Sequence, residues 1–207
     1  MKLTTLKIVV GHQHTKENLM IKLLAISGSL RKLSINTAVL RAMQTLAPKN
    51  IEITLYADLK TIPPFNFDDE YAGKIPDEVI NLRNAMSRAD GIIIASPEYA
   101  HGVSGVLKNA FDWVVGHADS IYHKPIALVN ASTRATIAYS HMKENIMTMG
   151  GNIIEAASKT IPLPNANFTK DQIISDSVLA DFLQGILTEF LHSIQKAKGS
   201  SLHFPFI

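Results

Sequence analysis

Serine, glycine, arginine and asparagine crowd one stretch, Ser27-Gly28-Ser29-Leu30-Arg31-Lys32-Leu33-Ser34-Ile35-Asn36. Together they suit a phosphate. Ser27, Ser29 and Ser34 offer hydroxyls, Gly28 lets the backbone come close, Arg31 offers a two-pronged guanidinium and Asn36 an amide. An apolar run precedes them (Ile21, Leu23, Leu24, Ala25, Ile26), and helical spacing follows (Ile35, Val39, Leu40, Met43, Leu46). The run predicts a buried parallel strand. The spacing predicts a helix over about 35–47, whose first N–H groups and dipole end form an anion site in the loop. An ordinary strand-to-helix turn with Ser34 as N-cap is the alternative. Neither Gly-x-x-x-x-Gly-Lys-Ser/Thr nor Gly-x-Gly-x-x-Gly occurs here, which excludes a P-loop and the dinucleotide fingerprint at this stretch.

Two further polar loops follow apolar runs. Gly91 to Ala95 ends at Ser96-Pro97-Glu98-Tyr99-Ala100-His101-Gly102, and Ile126 to Val129 ends at Asn130-Ala131-Ser132-Thr133-Arg134. Tyr99 can cover a planar ring or pack on the core. Glu98 can neighbour a ligand through its backbone and cap a helix beginning near Val103 through its carboxylate. Arg134 is either a phosphate partner or a helix-start residue in solvent.

These loops need a frame. Strands are expected at 21–26, 51–56, 91–95, 126–129 and 152–157, alternating with helices at 35–47, 76–89, about 103–115, up to about 149, and about 171–196. Pro76 opens the second helix, with Val79, Ile80, Leu82 and Met86 inward, and Gly150-Gly151 stops the fourth. The last helix carries Ile174, Val178, Phe182, Leu183, Ile186, Phe190 and Ile194. A repeat of about thirty residues is the length of a βαβ unit. It demands right-handed crossovers and a parallel sheet covered on both faces. The expected fold is therefore α/β, a flavodoxin-like three-layer sandwich with a five-stranded parallel sheet of order 2-1-3-4-5. In that order the first and third strands are neighbours at the switch point, so loops 27–36 and 96–102 line one crevice and 130–134 lies next to them.

Residues 1–19 are expected to be an N-terminal appendage, 20–199 one domain, and 200–207 a tail with Phe204 and Phe206. His12 and His14 read as part of a solvated linker, and Asp68, Asp69 and Glu70 as a solvated face.

Composition narrows the function. The 207 residues are 46% hydrophobic and 18% charged, which is globular rather than disordered. A net charge of +2 is too small to imply nucleic acid. No apolar run is long enough to span a bilayer, and no secretory signal opens the chain. With no cysteine, thiolate nucleophiles, disulfides and iron–sulfur clusters are excluded. Redox chemistry would need a bound organic cofactor. The expected location is cytoplasmic.

Gly-Ser-Leu-Arg-x-x-Ser-x-Asn at 28–36, Ser-Pro-Glu-Tyr at 96–99 and Gly-x-Leu-Lys-Asn-Ala-x-Asp-Trp at 105–113 resemble the NADPH-dependent FMN reductase family, which includes quinone, chromate and azo reductases. The resemblance covers Ile21 to Ala157. It implies an FMN phosphate on Ser29, Arg31, Ser34, Ile35 and Asn36, and a flavin ring edge on Pro97, Glu98, Tyr99, Ala100 and His101. Ser132 and Thr133 would donate to the pyrimidine end. It further implies ping-pong hydride transfer from NADPH or NADH through FMN to a small acceptor such as a quinone, azo compound, chromate or free flavin, with no side chain nominated as catalytic. A homodimer or homotetramer with the 103–115 helix at its interface is implied too. Lys108 and Asp112 could pair locally or reach across, and the 116–123 loop with Tyr122 could lid a neighbour. Many members carry Asn where this chain has Ala100, and a Gly-Gly segment where it has Ala131 to Ala135.

Two other functions compete. A flavodoxin-type electron carrier would bind FMN without oxidising NADPH, and a sequence pI of about 8.7 disfavours this usually acidic class. A non-catalytic binder of another phosphorylated ligand would explain the first loop but not the second.

Overall fold

The computed structural model describes residues 20–200 apart from 164 and 166. The appendage expected at 1–19, with His12 and His14, and the tail beyond Ser200 lie outside the described residues.

Strand β1 (Ile21–Ser27) is buried at every position but Lys22, and β3 (Gly91–Ala95) at all of its positions. Strands without a polar face must be covered on both sides. β2 (Ile51–Tyr56) pairs with β1, β1 with β3, and β3 with β6 (Pro125–Asn130), all parallel. β4 (Glu98–Tyr99) and β5 (Gly102–Val103) form a separate antiparallel hairpin. The order β2-β1-β3-β6-β7, with β7 at Asn152–Ile153, is the expected 2-1-3-4-5 arrangement.

The edge differs from the expected single strand at 152–157. β7 pairs with the start of β6, while β8 (Lys159–Thr160) pairs with its end, making a sixth strand. Between them the chain leaves the ladder, and the amide of Leu128 donates instead to Ser158 Oγ at 3.0 Å. A side chain thus satisfies a buried N–H where the backbone cannot.

The pleat sorts the core into two layers. Leu23, Ala25, Ile93, Ala95, Ala127 and Val129 face α1 (Ile35–Leu46), α7 (Lys170–Ser175) and α8 (Ser177–Ser200). The alternate residues Leu24, Ile26, Ile92, Ile94, Ile126 and Leu128 face α3 (Asp77–Arg88), α4 (Gly105–Val114) and α6 (Thr136–Thr148). The short α2 (Phe67–Tyr71) and α5 (Ala118–Ile121) occupy stretches expected to be loop. Asn66 starts α2 by accepting the Asp68 amide at 3.1 Å.

Three helix details depart from expectation. Pro76 is the N-cap of α3 rather than its first residue, and Ile80 faces outward at 42% exposure. The helix expected over 171–196 is two. Asp176 interrupts it and caps α8, its Oδ1 accepting the amides of Val178 and Leu179 at 3.0 and 3.1 Å. The break resets the helical phase, so Ile173 and Leu179 are buried while Val178 is 71% exposed. The acidic stretch is not wholly solvated either. Buried Arg83 donates to both carboxylate oxygens of Glu70 at 2.8 Å, and its Nε to the Trp113 carbonyl at 3.0 Å. Gly150 stops α6 as expected, at φ +77°, a backbone that favours glycine.

Candidate active site

The carboxyl ends of β1, β3 and β6 bring three loops together. Ile35 and Asn36 from the first, Ser96, Pro97 and Glu98 from the second, and Ser132, Arg134 and Ala135 from the third line one crevice of about 280 Å3. Switch-point topology predicts this convergence.

The first loop is braced from within. Ser27 and Thr37 share a hydroxyl–hydroxyl hydrogen bond of 2.8 Å. The Ser29 amide donates to Ser27 Oγ at 3.3 Å, and the Arg31 amide to Ser29 Oγ at 3.4 Å. Ser34 caps α1 by accepting the Thr37 amide at 3.3 Å. The first-turn N–H groups of Ile35 and Asn36 therefore open onto the loop beside a cap already satisfied. Ser29 and Arg31 line a neighbouring cavity of about 300 Å3, and Ser34 lines a third.

The second loop is a hairpin turned at Ala100 and His101, which both adopt left-handed backbone at φ 49° and 56°. The twist of β-strands favours such turns, although neither residue is glycine. Glu98 holds this hairpin to the third loop. Its Oε2 accepts the amides of Ile137 and Ala138 at 3.0 and 2.9 Å, and its Oε1 lies 3.0 Å from His101 Nδ1. The expected capping role is thus real, but the helix capped is α6 rather than the one near Val103. The Ala138 amide foremost, with the His101 ring and the Ile137 amide, holds the Glu98 carboxyl below the usual glutamate range. Ser104 precedes α4 without a capping hydrogen bond.

The third loop hangs on Asn130. Its Nδ2 donates to the Ala135 carbonyl at 3.2 Å, and its Oδ1 accepts the Ser132 amide at 3.0 Å. Ser132 Oγ accepts the Arg134 amide at 3.3 Å.

Of the residues singled out in the sequence, Ile35, Asn36, Pro97, Glu98 and Ser132 meet in the crevice. Tyr99, Ala100, His101 and Thr133 are exposed and line none of the three cavities. Arg134 lies on the crevice wall. Sequence reasoning assigned no role to Ser104 or Asn130, and only the paired loops reveal them.

The model of NADPH-dependent FMN reductases matches residues 21–166. The chain belongs to that family. An NAD(P)H-dependent FMN reductase of Pseudomonas aeruginosa is 42% identical over 113 residues, 54% of this chain and 60% of that protein. The matched segment is thus less than two thirds of that relative. A quinone reductase of Escherichia coli (strain K12) is 28% identical over 184 residues, 86% of this chain and 97% of that one. Among solved structures, the flavoenzyme NAD(P)H:(acceptor) oxidoreductase FerB of Paracoccus denitrificans superposes with a TM-score of 0.68 at 26% identity, over 85% of this chain and 98% of that one. Membership brings oxidoreductase chemistry, FMN as cofactor and NAD(P)H as donor.

The crevice fits an FMN. Among the described residues, two buried side-chain oxygens lack partners, Asn36 Oδ1 and Ser104 Oγ. Native proteins rarely leave such atoms orphaned without a functional reason. Asn36 Oδ1 can accept from a ribityl hydroxyl, and with the amide turned its Nδ2 can donate to a phosphate oxygen. Gly28 lets the first loop pack directly on Ser104 and Ser96: a Cβ there would stand 2.7 Å from Ser96 Oγ and 2.8 Å from Ser104 Oγ.

Proposed function

We propose that the protein is an NAD(P)H-dependent FMN oxidoreductase that reduces a small acceptor by a ping-pong route. The observation that carries this is the crevice at the switch point, closed by three loops and holding the unpartnered oxygen of Asn36. Ser29, Arg31, Ser34, Ile35 and Asn36 would hold the phosphate, using hydroxyls, the guanidinium and the first amides of α1. Pro97, Glu98, Tyr99, Ala100 and His101 would hold the ring edge, with Ser132 and Thr133 at its pyrimidine end. When bound, FMN supplies the redox chemistry, taking a hydride from NAD(P)H and returning electrons to an acceptor after the nicotinamide product has left.

The chain's own residues bind and orient. Glu98, the carboxylate on the crevice wall, is committed to two α6 amides, so it fixes the loop and gives no proton. Quinone and free flavin are the acceptors that the relatives' names support. Residues 20–199 act as one FMN-binding domain, in the cytoplasm, assembled as a homodimer or homotetramer through α4. Lys108 and Asp112 form an ion pair with each other within one chain.

Anaerobic reconstitution with FMN, followed by NADPH, tests this. Bleaching of the bound flavin is expected, and recolouring then screens acceptors. A flavin that binds but is not bleached makes the protein an electron carrier, and no bound flavin removes the assignment of the crevice.

A further inference from the structure

A cavity of about 420 Å3, larger than the crevice, lies between α1 and the 167–171 segment. Small-molecule sites span roughly 300–1,000 Å3. Its walls include Lys32, Arg41, Lys170, Leu33, Phe168 and Asn167. The carboxylate among the lining residues, Asp171, pairs with Lys170 at 3.2 Å. Lys32 and Arg41 have no acidic partner among the described residues. Both also line the neighbouring cavity that holds Ser29, Arg31 and Lys60, so they stand on a wall common to the two. Beside them Leu33 is 83% exposed, and Phe168 at the edge of the core lines the same space.

This chemistry describes a ligand. Two unpaired cations suit a dianionic phosphate monoester, which carries roughly −1.5 to −2 charge at neutral pH. Leu33 and Phe168 suit the face of a flat ring, and the Asn167 amide offers a donor and an acceptor to a base edge. A purine nucleoside bearing a phosphate monoester has all three features. NADPH carries such a group on its adenosine ribose, and NADH does not. We infer that this cavity takes the adenosine 2′-phosphate end of NADPH through Lys32 and Arg41, and so sets the preference for NADPH over NADH. The inference rests on the oxidoreductase reading. It takes the phosphate-recognising role away from Arg134, which lies on the crevice wall beside Ser132.

The test uses the flavin-free full chain with NADP+ and NAD+ as probes in calorimetry, since the 2′-phosphate monoester is their only difference. The wild type is expected to prefer NADP+ by about tenfold or more, the scale of one charged hydrogen bond. The double variant Lys32→Gln/Arg41→Gln should lose that preference while its FMN affinity, read by flavin fluorescence, stays as in the wild type. Both side chains are exposed, so the variant is expected to keep the wild-type circular dichroism spectrum. In the loaded enzyme the double variant should raise KM for NADPH about ten- to hundred-fold relative to KM for NADH. Equal binding of the two probes by the wild type overturns the inference. So does loss of FMN affinity along with the preference, or a preference that survives in the double variant but vanishes in Arg134→Gln. The failures separate: an unbleached flavin counts against the oxidoreductase, and equal probe binding counts against the cavity.

Discussion

The Glu98 carboxylate accepts the Ala138 amide at 2.9 Å across forty residues of chain. That bond, with the one from Ile137 at 3.0 Å, ties the hairpin after β3 to the first turn of α6. The two loops it joins are those proposed to flank the flavin ring, so their spacing depends on one carboxylate. A charged acceptor at a helix N-terminus is favoured by the exposed amides and by the dipole.

Glu98→Ala should therefore weaken FMN binding about tenfold, the loss expected of charge-assisted hydrogen bonds, while Glu98→Gln keeps one acceptor and loses less. Fluorescence titration of FMN reads both. The pH dependence follows from the lowered carboxyl, whose main cause is the Ala138 amide. A carboxyl lowered in the folded state adds stability above its unfolded pKa of about 4.3, and that contribution is lost as pH falls through the lower folded value. Acid unfolding of the wild type should be steeper below about pH 4.3 than that of Glu98→Gln. Parallel acid curves would refute the clamp.

Arg83 is buried within helix α3 and bridges Glu70 to the Trp113 carbonyl. Arg83→Ala leaves that carboxylate and carbonyl without their donor. The expected loss is about 3 kcal/mol, since removing one partner of a buried pair strands the other. Urea unfolding should show a lower midpoint at an unchanged slope. Glu70→Gln should cost less, because the amide oxygen still accepts. A midpoint shift below about 1 kcal/mol for Arg83→Ala would show that the network is incidental.

Gly28→Ala would place a methyl 2.7 Å from Ser96 Oγ and 2.8 Å from Ser104 Oγ. Overpacking of this kind costs about 1–3 kcal/mol and pushes the first loop off the second. FMN affinity should fall with it. Adding Ser104→Ala should restore part of the loss, leaving the contact with Ser96. Equal affinity in Gly28→Ala and wild type would show that the loops have room to spare.

Ala100 holds φ 49° in the hairpin turn. Left-handed backbone costs an L-residue about 1 kcal/mol, and glycine escapes the penalty. Ala100→Gly should therefore raise the melting temperature by about 2–4 °C for a chain of this size. A lowered melting temperature would mean that the turn is not strained.

Local pattern carries a long way in this chain. Apolar runs at Leu23, Ile93 and Ala127, each followed by a helical repeat, are legible because side-chain period depends only on near neighbours. The handedness rule then turns that list into one sheet order, observed as β2-β1-β3-β6-β7. The meeting of Asn36, Pro97 and Ser132 follows from that order without any knowledge of contacts.

Periodicity and chirality thus dictate the sheet order, its switch point and the loops that converge there, but not the split edge of β7 and β8. Tertiary structure alone decided where polar groups were spent. A carboxylate such as Glu98 satisfies whichever helix amides packing brings near, and those proved to belong to α6 rather than α4. Whether Ile174, Val178 and Phe182 continued one helix depended on Asp176 taking two amides for its own oxygen. The burial of Arg83, the hydroxyl of Ser158 in the sheet edge and the cations of Lys32 and Arg41 around one cavity likewise join residues distant in sequence. Hydrogen bonds and charges act over a few ångströms of space, so the linear order of residues does not contain them.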